Sequence, residues 1–120
     1  MELNQFALYQ LKRTPENRLI RFRPYETLQE NHIQVRYENY EQKYLGQMKR
    51  GETPTEIRKR LNERTPRSFS GHSVSVSDVL ILNQDGEITS YYVEKEGFVV
   101  LAGFIRQGSS GALISCDTTD

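Results

Sequence analysis

Apolar and polar positions alternate most regularly between Gly71 and Tyr92, and this stretch frames the rest of the chain. Val74 and Val76 fall on one face of an extended ribbon and Ser73, Ser75 and Ser77 on the other, the period-two pattern of a half-buried strand. Asp78 interrupts it. A ribbon continued unchanged would carry that carboxylate into the core, where an unpaired charge is costly or shifts its pKa. A bend or bulge is therefore expected at Ser77-Asp78, with the carboxylate accepting backbone N–H groups as in local turns. Val79-Leu80-Ile81-Leu82 then starts a second strand, and four apolar residues in a row mark it as central, covered on both faces. Asn83-Gln84-Asp85-Gly86 reads as a hairpin turn leading into a partner strand, Glu87 to Val93. Glu94-Lys95-Glu96-Gly97 is a second turn and Phe98 to Leu101 a third strand, so the three form a meander.

The same reading gives a strand at Phe6 to Lys12, a turn at Thr14-Pro15-Glu16-Asn17 and a short returning strand at Arg18 to Phe22. Pro24 suits the first turn of a short helix ending at Asn31, with Tyr25 and Leu28 on one face. Ile33 to Met48 mixes β-branched and aromatic residues with Gly46, which favours extended structure over a helix. Thr53 to Arg64 carries the strongest helix signal. Thr53 and Glu56 have capping-box spacing, Pro54 sits at the first helical position, and Thr65-Pro66 stops the helix. Ile57 and Leu61, one turn apart, would seat it on a sheet. Phe69 is expected to anchor the following loop in the core. The pattern predicts an α+β fold: an antiparallel sheet of four to six strands with a C-terminal meander, packed by one main helix (about 54–64) and one short helix (about 24–31). Residues 1–104 form a single domain, followed by a flexible tail over 105–120.

Composition sharpens this picture. A chain of 120 residues holds one modest core. Only 36% of residues are hydrophobic and Trp is absent, so seven Tyr and five Phe must fill the interior. A single cysteine excludes an internal disulfide and a cysteine-rich zinc site, and suits a reducing compartment. The N-terminus lacks the blocks of a signal peptide, and the longest apolar run falls far short of the ~20 residues a membrane helix needs. A soluble cytoplasmic protein is expected. Net charge is zero, but residues 1–70 carry 14 Lys and Arg against 9 Asp and Glu, a balance of +5. Residues 71–120 carry 2 against 7, a balance of −5.

Chemistry is sparse. The two histidines, His32 and His72, do not assemble with Cys and carboxylates at metal-ligand spacing, so no metal and no cofactor is expected. His72, Ser73 and Asp78 supply the residue types of a hydrolytic triad, but adjacent side chains on a strand point to opposite faces. Gly108-Ser109-Ser110-Gly111 lacks the Lys and helix of a phosphate loop. By elimination the chain reads as no enzyme.

The pattern Gly71-His72-Ser73-Val74-Ser75-Val76-Ser77-Asp78-Val79, with Phe6-x-Leu-Tyr-Gln-Leu and Arg21-Phe22 before it and Tyr91-Tyr92-Val93 and Gly97-Phe98 after it, resembles the YodL-like family. The resemblance covers roughly residues 4 to 104. It implies a small cytoplasmic accessory module of bacterial conjugative and other mobile elements, and it brings no catalytic residues with it. The expected function is that of a non-enzymatic protein-interaction module, with Ser73, Ser75, Ser77 and Tyr91, or an exposed sheet edge, as the partner surface. The alternative is a nucleic-acid-binding accessory protein using Arg58, Lys59, Arg60, Arg64 and Arg67 on and after the basic helix. A DNA-mimicking inhibitor would need a strongly acidic face, for which the −5 half is the only hint.

Overall fold

Two apolar strands lie side by side at the middle of a five-stranded antiparallel sheet in the computed structural model, which describes residues 4–105. The strands are β1 (Asn4–Leu11), β2 (Tyr40–Gln47), β3 (Val79–Gln84), β4 (Glu87–Val93) and β5 (Phe98–Leu101), in the order β2-β1-β3-β4-β5. Helix α1 (Tyr25–Glu30) follows a 3₁₀ turn at Pro15–Leu19, a second such turn at Tyr37–Asn39 precedes β2, and helix α2 (Pro54–Glu63) joins β2 to the loop before β3.

Side chains alternate across the sheet, and each face has its own core. Ala7, Tyr9 and Leu11 of β1 and Val79 and Ile81 of β3 meet Ile20, Leu28, Tyr40 and Phe104 on one side. Phe6, Leu8, Leu80 and Leu82 meet Ile57 and Leu61 of α2 on the other. With both faces covered, burial favours apolar residues at every position of the inner strands, hence the unbroken run Val79 to Leu82. Leu8 pairs with Leu80 and Phe6 with Leu82 in the β1–β3 ladder, so the first strand is stitched to the opening strand of the C-terminal meander.

The α+β class, the C-terminal meander and both helices match the sequence reading. The hairpin turn narrows to Asp85-Gly86, both at positive φ (54° and 93°), as the twist of a two-residue hairpin requires. The Gly86 N–H donates to the Asn83 side-chain oxygen at 2.9 Å. Pro24 caps α1 from just outside rather than lying in its first turn.

Three expectations are corrected. Residues 71–78 form an irregular loop instead of a strand that bends; β3 begins only at Val79. Arg18 to Phe22 does not return beside β1, because buried Asn17 ties the turn to other strand ends. Its side-chain amide donates to the Lys12 and Asn39 carbonyls, and its own carbonyl accepts from the Ile20 and Arg21 N–H groups. The flank of β1 goes to β2, which offers a longer ladder. Residues 33–36 are irregular, and the extended structure expected over Ile33 to Met48 starts at Tyr40. The expected tail lies mostly outside the described residues, and among those described no helix is long and apolar enough to cross a membrane.

Candidate functional site

The loop 71–78 closes one end of the sheet, and Asp78 holds it. This carboxylate is buried, with 2% exposure, and its Oδ2 accepts the Ser75 N–H and the Gln10 Nε2–H, both at 2.9 Å. Gln10 reaches it from β1 and also donates to the His72 carbonyl at 2.8 Å, while its own oxygen accepts the His72 N–H at 3.2 Å. One amide from a central strand thus clasps both ends of the loop. Gly71 fits beside it because a Cβ there would collide with the Gln10 side-chain oxygen.

The expected bend is present, since Ser77 sits at φ 85° and Asp78 accepts a backbone N–H. The carboxylate is nonetheless in the core, satisfied by hydrogen bonds instead of by solvent. Burial pushes its pKa up to about 7, against the downward pull of the Ser75 and Gln10 bonds and of the Arg58 guanidinium. Beside it, the Tyr40 hydroxyl donates to the Ser77 carbonyl at 2.6 Å. Burial, with Tyr92 and Asp78 close by, pushes the Tyr40 phenol far above its ordinary range.

The proposed serine surface is only partly a surface. Ser77 is buried, its Oγ accepting the Phe22 N–H at 3.0 Å, so it is withdrawn as a partner contact. Ser75 is half-buried and its Oγ donates to the Ser73 carbonyl; Ser73 is exposed. Tyr91 lies on the α2 face of the sheet, half-buried, packed edge-on against Phe98 and paired with Val100 across the β4–β5 ladder. It marks the β5 end of the sheet, and among the described residues no hydrogen bond joins it to Ser73, Ser75 or Ser77.

The basic helix is also divided. Arg60 donates from Nε and Nη2 to the two oxygens of Glu52, each at 3.0 Å, and lies over the Phe6 ring at 5.4 Å. Burial drives the Glu52 carboxyl up, but the Arg60 hydrogen bonds, the Lys49 N–H and the charges of both cations outweigh it and hold the group below its ordinary range. Arg58 donates to the Glu94 carbonyl at 2.8 Å. Both arginines are engaged within the fold; of the other cations expected on a nucleic-acid surface, Lys59 lies on α2 beside exposed Glu56 and Glu63, and Arg64 and Arg67 follow the helix, all three exposed.

His72 Nδ1 faces the Ser73 carbonyl at 2.8 Å and Gln10 Nε2 at 3.2 Å; among the described residues no hydroxyl hydrogen-bonds to it. Among the described residues no three His, Cys, Asp or Glu side chains gather to hold a metal ion. A concavity of about 730 Å³ opens elsewhere, between α1, the 33–38 segment and Leu101–Phe104.

The sequence reading missed Gln10 and Phe22. Gln10 carries a signal, a polar residue inside the otherwise apolar run Phe6 to Leu11, and polar groups in such places need dedicated partners. Phe22, between Arg21 and Arg23 and expected on a returning strand, is 59% exposed, with its ring 6.3 Å from that of His72.

No curated protein and no solved structure matches the chain. A family model does, over residues 5–104, the span that holds the sheet, both helices and the Gln10–Asp78 clasp, and the chain accordingly belongs to the YodL-like domain family.

Proposed function

We propose that the protein is a non-enzymatic interaction module, a cytoplasmic accessory factor of a bacterial mobile element, which captures a protein partner by adding a strand to β5. The observation that carries this reading is the contrast between the two sheet edges. At the β2 edge, Lys43 is bulged out of the ladder, its carbonyl is capped by the Ser70 N–H and Oγ–H, and Glu41 and Lys43 pair at 3.0 Å. Bulges and charges of this kind blunt an edge against pairing. Phe98–Leu101 has neither, and Val100 is 61% exposed. Among the described residues its backbone pairs only with β4. Tyr91, Phe98 and Val100 form an apolar strip beside the open edge, where a partner strand gains side-chain contacts as well as ladder hydrogen bonds.

The test is capture from host extract by the tagged protein, with mass-spectrometric identification. Val100→Lys places a charge on the edge and should abolish capture while leaving the melting temperature unchanged. Ser75→Ala should leave capture intact. Capture that survives Val100→Lys would overturn strand addition, and loss with Ser75→Ala would move the surface back to the loop.

A further inference from the structure

Between Lys12 and Arg23 the chain carries five cations, Lys12, Arg13, Arg18, Arg21 and Arg23, against one carboxylate, Glu16. All lie on one short connection. The 3₁₀ turn at its middle spans roughly 10 Å at ~2 Å per residue, and the Arg21 guanidinium donates to the Lys12 carbonyl, which brings the two ends together. Among the described residues none of the five forms an ion pair with a carboxylate. In a chain of zero net charge, so local an excess of unpaired cations is electrostatically unfavourable until an anionic partner arrives.

Phe22 stands within this cluster, and its backbone is held in an unfavourable conformation. Its φ is 65°, in a region bulky residues avoid, and its N–H is fixed by the Oγ of Ser77, itself at φ 85°. Two strained residues clipped together place an aromatic ring in solvent beside exposed His72 instead of in either core. The next carbonyl, that of Arg23, is anchored by the Tyr92 hydroxyl at 2.7 Å, so the segment is fastened on both sides.

We propose that Phe22, His72 and the surrounding cations form a binding surface for single-stranded nucleic acid, separate from the β5 edge. Unpaired bases stack on the rings, and the guanidinium groups engage the phosphates. Arginine outnumbers lysine here four to one, which suits planar, bidentate phosphate contacts and stacking beyond simple charge attraction. Duplex DNA keeps its bases stacked on one another and offers nothing to an exposed ring, so the single strand is the preferred form.

Fluorescence anisotropy with a labelled twenty-nucleotide oligothymidylate, its duplex counterpart and phosphatidylglycerol vesicles tests this on the full chain. Three to five phosphate contacts give a log–log salt slope of roughly −2 to −3.5, so affinity for the oligothymidylate should fall about 15- to 130-fold between about 50 and 200 mM salt. Phe22→Ala should weaken binding roughly 5- to 160-fold and Phe22→Tyr should restore it, because tyrosine keeps the stacking face. Arg18→Glu, at an exposed position, is a second variant that does not depend on the strained backbone. Lys95→Glu, at an exposed position on the turn between β4 and β5, should bind as the parent does. The proposal is overturned by absence of binding at about 50 mM salt, by tighter binding of duplex than of single strand, by binding of vesicles alone, or by folded Phe22→Ala and Arg18→Glu proteins that bind as well as the parent.

Discussion

Asp78 shows how one side chain can both shape a loop and burden the fold. Its carboxylate is buried with two hydrogen-bond donors, and its pKa near 7 lies well above the ordinary carboxylate value of 3.8. Between those values the folded protein holds the proton and the unfolded chain releases it. The stabilisation linked to that proton is therefore complete below about pH 4 and is lost as pH rises through about 7. Arg58, Tyr40 and Tyr92 surround the group, with His72 beyond Gln10. Asp78→Asn keeps an acceptor oxygen and removes the titration, so its melting temperature should exceed that of the parent at about pH 8, with the gap closing as pH falls toward about 5. Gly71→Ala should cost about 1–3 kcal/mol, because the added Cβ displaces Gln10 and leaves buried polar groups unpaired; amide exchange of residues 72–78 should accelerate with it. The bend and the N–H bond to Asp78 were legible in the sequence, since an Asp in a valine-serine ribbon has few other local solutions. Gln10 was not, because its partners lie more than sixty positions away and only the sheet brings them together.

At the scale of elements, α2 was the most readable because its signals are local. Thr53 and Glu56 form the full capping box, with Glu56 N–H donating to Thr53 Oγ1 and Thr53 N–H to Glu56 Oε1. Thr53→Ala should cost about 1 kcal/mol in chemical denaturation. What the helix does with its cations was hidden. Arg60 and Lys59 are neighbours in sequence, yet one clasps a buried carboxylate and the other faces solvent. Arg60→Met should destabilise by about 1–3 kcal/mol, discounted for the partial exposure of the arginine, whereas Lys59→Met should stay within about 0.5 kcal/mol. Glu52 contributes in the opposite pH sense to Asp78. Its pKa is held down in the fold, so its contribution is present above the ordinary carboxylate range and is lost as pH falls through the lowered value. The connection after β1 illustrates the reverse case, where Arg18-Leu19-Ile20-Arg21-Phe22 has strand-like composition and Asn17 overrides it with side-chain hydrogen bonds to two strand ends.

For the whole molecule the decisive fact is that the first strand is an inner one. β1 carries ladders to β2 and β3 and contributes to both cores, so removing residues 1–11 should abolish cooperative thermal unfolding instead of merely lowering its midpoint. The basic and acidic halves of the chain do not remain two blocks in space, since β1 from the basic half sits beside β3 from the acidic one. The sequence by itself determined the class, the meander and the capped helix, because each rests on contacts between residues close along the chain. Only the tertiary structure decided the strand order, the fate of the serine ribbon, and which cations are spent on packing and which face solvent beside an exposed ring. Those outcomes depend on long-range pairing and on burial of individual polar groups, for which a one-dimensional pattern contains no term.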